Sequence, residues 1–287
     1  MSQTNEAIRD AYRPVRPGLF ATLRETAEEI ATRRRLILYL VRADLKKRGA
    51  DTVLGNVWWI LDPLLTLLVY VILIAVIFRT QIDAYPLFVF CAILPWKWFS
   101  SSVADAVTCI TTRERIIKQV NFPKVVLPMA AATGGVASFA FGLIPLFAML
   151  VLLYRDHLSV WVLALPAVAL VQFVFTLAVA LLAAAITVFY RDVGNVANHV
   201  LRIWFYLSPA LYGADQIADL TKDNPLIGTV FHLNPFATIF ESYRDLIYHG
   251  RAPDWIALGL VLIGSAALLV VAVIVFRRLE PAFAKVI

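Results

Sequence analysis

Long apolar runs alternate with short polar segments along most of this chain. Six of the runs are long enough to cross a hydrocarbon core of about 30 Å as helices. They cover residues 57–78, 84–110, 125–153, 161–189, 195–213 and 255–276. The pattern therefore predicts an all-α integral membrane protein with six transmembrane helices. It assigns residues 1–35 to an N-terminal tail, 36–276 to the membrane domain and 277–287 to a C-terminal tail.

Residues 36–48 (LILYLVRADLKKR) form a shorter pattern, apolar first and basic last. The segment is too short to span a bilayer, but its composition is typical of a helix that lies in the membrane interface. The alternative is a disordered basic tail. We favour an N-terminal interfacial helix.

The segment 214–254 is the longest polar interruption, and it contains two half-apolar pieces, 225–233 and 235–248. Asn234 is a good N-cap and Pro235 a good first helical residue for the second piece. One helical face of that piece is apolar (Phe236, Ile239, Phe240, Tyr243, Leu246 and Ile247), with Glu241, Ser242 and Asp245 opposite. Two short pieces suggest a re-entrant helical hairpin, which is tolerated only where its backbone is covered. A helix resting on the membrane surface is the alternative.

Composition agrees with a membrane protein. Of the 287 residues 61% are hydrophobic and 16% charged, and the mean hydropathy is +0.77. The first 35 residues contain no apolar stretch of the signal-peptide kind. Cys91 and Cys109 fall in one predicted helix, about 27 Å apart, which is too far for a disulfide.

The distribution of Lys and Arg predicts the orientation. Nineteen of the 26 lie in the two termini and in the segments 112–124 and 190–194, all on one side of the predicted spans. Five lie on the other side, and Lys97 and Arg202 lie inside spans. Because basic residues are retained in the cytoplasm, both termini and residues 112–124 are predicted to be cytoplasmic.

Residues 112–124 (TRERIIKQVNFPK) read as a short basic helix between two spans. Thr111 and Glu114 have capping-box spacing, Glu114 and Lys118 are an i,i+4 pair, and Phe122-Pro123 would end the helix. Ile116, Ile117 and Val120 would share a face. Such a helix suits a membrane protein that is pushed by a soluble partner. An ordinary basic loop explains the same residues, so both interpretations remain open.

Polar residues follow one another along the second predicted span at spacings of three and four. They are Lys97, Ser101, Asp105, Thr108 and Thr112. Ionisable residues inside a membrane usually face a bundle interior or a water-filled path, so this stripe is predicted to line a translocation path. Trp96, Trp98 and Phe99 beside it offer ring faces on which sugars could stack. The alternative is an interfacial aromatic belt with a snorkelling lysine.

Arg202 lies seven residues inside the fifth predicted span, where it can contact a substrate phosphate or snorkel to the interface. The four histidines show no metal-ligand spacing, so no metal site is predicted. No Gly is followed by Lys, which excludes a P-loop, and HExxH and GxSxG are absent. No catalytic residues are therefore predicted, and neither composition nor charge calls for nucleic acid. The sequence favours a protein that moves a substrate.

Several local patterns occur together in an order that is quite specific. They are Arg42-Ala43-Asp44-Leu45-Lys46, Leu54-Gly55-Asn56-Val57-Trp58 with Pro63, Lys118 through Phe122-Pro123-Lys124 to Leu127-Pro128, Tyr190-Arg191-Asp192-Val193, Ser208-Pro209, and Asn234-Pro235 to Tyr243-Arg244. In these features the chain, from about residue 36 onward, resembles the permease subunit of type-2 ABC exporters for polysaccharides and polyol phosphates. O-antigen, teichoic acid and galactan exporters are of this type.

The resemblance implies a homodimer in the plasma (inner) membrane that works with two copies of a separate ATP-binding subunit. ATP and Mg²⁺ would bind to that partner, and no cofactor to this chain. The helix at 112–124 looks like an element that docks on the ATPase, with Arg113, Glu114, Arg115 and Lys118 as coupling residues. The hairpin at 214–254 looks like an outer gate, with Phe236, Phe240, Glu241, Tyr243 and Arg244 as gate residues.

The cargo that the resemblance implies is a lipid-linked glycan, exported from the cytoplasmic side of the membrane to the outer side. A drug or small-lipid exporter of the same superfamily is the first alternative. A membrane glycosyltransferase is a second, weaker one, because it would need paired carboxylates on a polar face. The chain is not expected to be an enzyme by itself.

Overall fold

A computed structural model of the protein describes residues 18–49, 53–73, 82–120, 122–212 and 233–286, and within them every regular element is helical. The α-helices are α1 (Leu19–Thr32), α2 (Arg34–Gly49), α3 (Trp58–Tyr70), α4 (Tyr85–Thr108), α5 (Glu114–Gln119), α6 (Val126–Leu152), α7 (Leu165–Phe189), α8 (Val193–Leu207), α9 (Pro235–Ile247) and α10 (Trp255–Val286). Short 3₁₀ turns precede α3, α5 and α7. The predicted all-α class is confirmed.

Four helices of the described residues are long and apolar enough to cross a membrane. They are Tyr85–Thr108, Val126–Leu152, Val160–Phe189 and Trp255–Phe283, and they match the second, third, fourth and sixth predicted spans. The first and fifth predicted spans appear as the shorter helices α3, whose apolar run reaches Leu73, and α8. The predicted continuation of the first span and most of the first piece of the outer hairpin fall in residues 74–81 and 213–232, outside the described residues. The fifth predicted span is too long at its end, because α8 stops at Leu207 and residues 208–212 form turns and bends.

Both terminal segments differ from the predicted tails. Residues 19–32 form helix α1, which packs on α10, and α10 continues to Val286 instead of ending at Phe276. Arg277, just beyond the predicted end of the last span, donates to the Thr26 hydroxyl at 2.9 Å and also pairs with Glu29. The predicted interfacial helix is confirmed as a helix, α2. It packs on α6 through Ile37 and Val41.

One end of the helical bundle contains α1, α2 and α5 beside the last turns of α4 and α10. We call it the basic end. At the other end, α9 is inserted between α4, α7 and α10. The predicted apolar face of α9 is confirmed, because all six of its residues are at most 1% exposed. Cys91 and Cys109 are buried free thiols, as predicted.

Helices α4 and α6 approach each other closely at Gly135. A Cβ atom there would overlap Ser102 Oγ and lie 2.6 Å from Trp98 Cδ1, both on α4. The neighbouring Gly134 has nothing within 4 Å of the same position. The absence of a side chain at residue 135 thus allows the rigid Trp98 ring to pack directly on the α6 backbone.

Replacing Gly135 with alanine is therefore expected to destabilise the bundle by about 1–3 kcal/mol through overpacking. Gly134→Ala is the matched control, and it should be neutral or stabilising by up to about 1 kcal/mol because alanine favours a helix. Thermal unfolding of the two purified variants in detergent measures the difference. Equal unfolding midpoints would contradict the close approach.

Candidate functional site

A cavity of about 910 Å³ lies between α3, α4, α6 and α8. Its polar lining residues are Asp62, Thr66, Tyr70, Lys97, Ser100, Ser101, Ser138, Asn198, Arg202 and Tyr206, and its aromatic ones include Trp58, Trp59, Trp96, Trp98, Phe139 and Phe205. We call this space the central cavity. It brings together Lys97 and Ser101 of the predicted stripe with Arg202, which the sequence analysis treated separately.

Lys97 forms an ion pair with Asp62 of α3 across the central cavity. The Lys97 side chain is 29% exposed and that of Asp62 is 65% exposed, so the pair is open to the cavity rather than sealed in the core. Sequence reasoning missed Asp62. The available signal was its position inside the first predicted span, where an acidic residue is as unusual as Lys97 is in the second.

The three aromatic residues predicted beside the stripe have different environments. Trp96 and Trp98 line the central cavity but are only 8% and 2% exposed, and Phe99 is fully buried outside it. Phe99 packs at 4.7 Å, between ring centroids, on Phe236 of α9, and Trp96 packs at 4.9 Å on the same ring. These rings therefore stiffen the cavity wall. Trp58 of α3, 42% exposed, offers a more accessible ring face.

The lower part of the predicted stripe leaves the central cavity. Thr108 and Thr112 line a second cavity of about 300 Å³ at the basic end, together with Thr111, Thr187, Glu114 and Arg191. Asp105 lies between the two on α4 and lines neither. The predicted stripe is thus divided. Lys97 and Ser101 of α4 line the central cavity, while Thr108 at the end of α4 and Thr112 in the 3₁₀ turn beyond it line the second cavity.

The basic segment after α4 begins with a 3₁₀ turn, Thr111–Arg113, and continues as the six-residue helix α5. The predicted capping box does not form, because the Thr111 hydroxyl donates to the Thr108 carbonyl at 3.2 Å and Arg113 occupies the N-cap position. The helix ends at Gln119 instead of reaching the Phe122-Pro123 stop. Of its predicted apolar face only Ile117 is buried; Ile116 and Val120 are exposed.

Ion pairs hold this segment in place. Arg113 donates from one guanidinium nitrogen to both carboxylate oxygens of Asp44 on α2, at 2.7 Å each. The predicted pair between Glu114 and Lys118 is confirmed at 2.7 Å. Lys118 holds the pKa of the Glu114 carboxyl below its usual range, so the carboxylate is charged at neutral pH. Arg115 is exposed beside them.

The start of α9 is fixed by Asn234, as predicted. Its side-chain oxygen accepts from the Phe236 backbone N–H and from Trp204 Nε1, both at 3.1 Å, while its amide donates to Ser208 at 2.8 Å. One residue thus caps α9 and ties it to α8. The predicted gate residues Phe236, Phe240 and Tyr243 are fully buried behind this cap, and Tyr243 donates to Gln172 of α7 at 3.0 Å.

Arg244 is a completely buried cation. It pairs with Glu241 at 3.0 Å, donates to the Ala210 carbonyl at 2.8 Å and lies 3.7 Å above the Phe88 ring.

Glu241, Asp245 and His249 place three potential metal-ligand atoms, one from each side chain, within 4.8 Å of one another. Both carboxylates there are already neutralised, Glu241 by Arg244 and Asp245 by Arg251 at 2.7 Å. The cluster is accordingly an ion-pair network that anchors α9.

Replacing Arg244 with methionine is expected to cost about 3–5 kcal/mol, because Glu241 loses its partner and a buried carbonyl loses its donor. Arg24→Met is the control. Its ion pair with Glu28 is exposed on both sides, so its loss should cost no more than about 1 kcal/mol. Thermal unfolding in detergent measures both. A similar drop in the unfolding midpoint of the two variants would mean that burial of Arg244 contributes no additional stability.

Comparison with known proteins decides the family. The model of the ABC-2 type transporter family matches residues 35–248, from the start of α2 to the end of α9. This chain belongs to the ABC-2 transporter family. The matched region contains the central cavity, the Arg113–Asp44 pair and the buried Arg244.

Two relatives cover almost the whole ABC-2 chain. It is 34% identical to the O-antigen export system permease protein RfbA of Myxococcus xanthus over 257 residues, which is 90% of this chain and 97% of the relative. It is 27% identical to a protein of the same name from Klebsiella pneumoniae over 253 residues, 88% of this chain and 95% of that relative. The likeness is therefore to complete permeases and not to one shared segment.

Proposed function

We propose that this ABC-2 protein is the transmembrane subunit of an ATP-driven exporter that moves a lipid-linked polysaccharide from the cytoplasmic side of the membrane to the outer side. The relatives are O-antigen export permeases that match nearly end to end. The observation that carries the proposal is the central cavity. Its volume of about 910 Å³ lies in the usual range of ligand sites, about 300–1,000 Å³.

The cavity lining suits a glycan that is attached to a lipid through phosphate groups. Lys97 and Arg202 are the two cationic side chains among its described lining residues. Arginine and lysine both bind phosphate oxygens through charge-assisted hydrogen bonds. Serine, asparagine and tyrosine groups supply hydrogen bonds for sugar hydroxyls, and the tryptophan rings supply apolar faces. A drug or small-lipid exporter would have less use for two cations paired with so many polar side chains.

Six spans, a homodimer and cytoplasmic termini are parts of the same proposal. Helices α3 and α8 border the central cavity and expose apolar residues on the outside, among them Leu68 and Val69 on α3 and Val200 and Ile203 on α8. A second copy packed on these faces would cover them and close the cavity. The excess of Lys and Arg at the basic end supports a cytoplasmic position for that end.

ATP hydrolysis belongs, on this proposal, to a separate subunit that docks at the basic end. Arg113 links the segment after α4 to α2, while Arg115 leaves positive charge exposed beside the Glu114–Lys118 pair. Force applied to α5 would pass directly into α4, which carries Lys97 to the central cavity. At the other end, α9 would serve as the outer gate element, held between the spans by Arg244 and Asn234.

Deleting the gene and following the glycan tests the proposal. Surface polysaccharide should disappear, lipid-linked glycan should accumulate inside, and the chain supplied in trans should restore export. The purified complex should contain an ATP-binding subunit. A chain that is active alone would overturn the proposal, and unchanged surface glycan with altered drug resistance would favour the small-molecule alternative.

A further inference from the structure

An apolar groove of about 210 Å³ lies at the basic end, on the side of the bundle away from the central cavity. Helix α1 forms its roof, and its walls come from the start of α6, from α7 and from α10. The roof residues Leu23, Thr26, Ala27 and Ile30 repeat at spacings of three, one and three, so they share one face of α1. The remaining lining residues are Val125, Met129, Leu177, Leu181, Leu269, Val270 and Val273.

The groove is suited to hydrocarbon. Thr26 is the one polar side chain among its described lining residues, and its hydroxyl is fully used. It donates to the Thr22 carbonyl at 2.8 Å and accepts from Arg277 Nε at 2.9 Å. No polar group in the lining is left to bind a headgroup or a sugar. The occupant of this space must therefore be apolar.

The groove is also a fixed feature of the fold. Arg277 of α10 reaches under α1, where it binds Thr26 and Glu29, and it pairs with Glu280 of its own helix at 3.1 Å. Glu280 in turn accepts from the Lys124 backbone N–H at 2.7 Å, which ties α10 to the segment before α6. These bonds hold the roof and two walls together without filling the space between them.

Positive charge adjoins one end of the groove. Arg33 caps the end of α1, and Arg34 and Arg35 begin α2, three to five residues beyond the lining residue Ile30. All three are exposed, and none has an ion-pair partner among the residues that the structure describes. On α2 the exposed Leu38 and Tyr39 continue the surface with apolar groups. Clusters of arginine beside such groups bind anionic lipid headgroups.

We propose that the groove holds one acyl chain of an anionic phospholipid from the leaflet at the basic end, with the lipid phosphate bound by the Arg33–Arg34–Arg35 cluster. The lipid would be a structural ligand that seats α1 on the bundle. A polyprenyl carrier is the less suitable occupant, because its branched chain is wider. Its headgroup would also be directed away from the central cavity, which shares only α6 with this groove.

The test uses the full chain purified from membranes that contain equal amounts of phosphatidylcholine and phosphatidylglycerol, with native mass spectrometry of the retained lipids. Wild-type protein should retain phosphatidylglycerol. Ala27→Phe places a ring in the groove and should release it. Ala21→Phe, the same change on a face of α1 that does not line the groove, should not. The triple change of Arg33, Arg34 and Arg35 to Gln should reduce preference for phosphatidylglycerol by on the order of tenfold or more, since each arginine contributes about a factor of five.

Several results would overturn the proposal. Ala27→Phe could retain as much phosphatidylglycerol as Ala21→Phe, or the triple variant could keep the full preference. Retention of an added polyprenyl phosphate in place of phosphatidylglycerol would identify a different occupant. Equal unfolding midpoints for the two phenylalanine variants, measured in phosphatidylcholine without phosphatidylglycerol, confirm that both are folded. None of these results depends on export, so the proposed transport function is tested separately.

Discussion

Reversing the charge of Arg113, as Arg113→Glu, is expected to reduce ATP-driven export of the glycan by at least ten- to a hundredfold while the chain still inserts into the membrane. Arg113 donates to both carboxylate oxygens of Asp44, and hydrogen bonds to charged groups contribute about 1.5–3 kcal/mol each. A glutamate at this position would also repel Asp44. The segment that carries α5 would then lose its fixed position relative to α2. The amount of glycan at the cell surface and the amount of this chain in the membrane are measured in the same cells. Together they distinguish a defect in coupling from a defect in folding.

The charge swap is the control for this prediction. Combining Arg113→Glu with Asp44→Arg restores opposite charges across the same gap and should recover a substantial part of export. Recovery would show that the contact itself matters and not one of the two residues alone. Normal export by Arg113→Glu would show that this ion pair takes no part in coupling. Export by the double variant that is no higher than that of the single variant would show the same.

The parts of the fold that follow from local chemistry could be read from the sequence. Asn234-Pro235 contains both the cap and the first residue of α9, and the spacing of Phe236 to Ile247 defines its buried face. The four long spans follow from length and apolar composition alone. The pair between Glu114 and Lys118 is also local, because residues four apart on a helix are neighbours whatever the rest of the fold does.

What the sequence could not supply were contacts between distant segments. Asp62 of α3 forms an ion pair with Lys97 of α4, and Arg113 forms one with Asp44, which lies 69 residues earlier in the chain. The capping box at Thr111 was wrong because α4 continues into a 3₁₀ turn, where the Thr111 hydroxyl bonds back to its own helix. The polar stripe marks one face of α4, but its apolar residues do not show which helix packs on each of the other faces. Burial of Phe99 and partial exposure of Lys97 therefore depend on α9 and α3, which pack on opposite sides of it.

Replacing Lys97 with methionine is expected to lower the export rate by about ten- to a hundredfold. The change removes one of the two cations among the described lining residues of the central cavity, at the position where a substrate phosphate would bind. Methionine keeps most of the length and apolar character of the lysine stem. The ion pair with Asp62 is partly exposed, so its loss should cost no more than about 1 kcal/mol of stability. Glycan export in intact cells and thermal unfolding in detergent measure the two effects separately.

Asp62→Asn distinguishes a binding role of Lys97 from a purely structural one. If the ion pair only braces α3 against α4, removal of either partner should impair export equally. If Lys97 binds the substrate, Asp62 competes with the substrate phosphate for the ammonium group of Lys97. Neutralising Asp62 should then leave export intact, or lower the substrate concentration needed for the half-maximal export rate. Phosphate groups carry more negative charge than one carboxylate, so they can displace Asp62 in the cavity. Equal losses in the two variants would therefore restrict Lys97 to a structural role and leave Arg202 as the phosphate ligand.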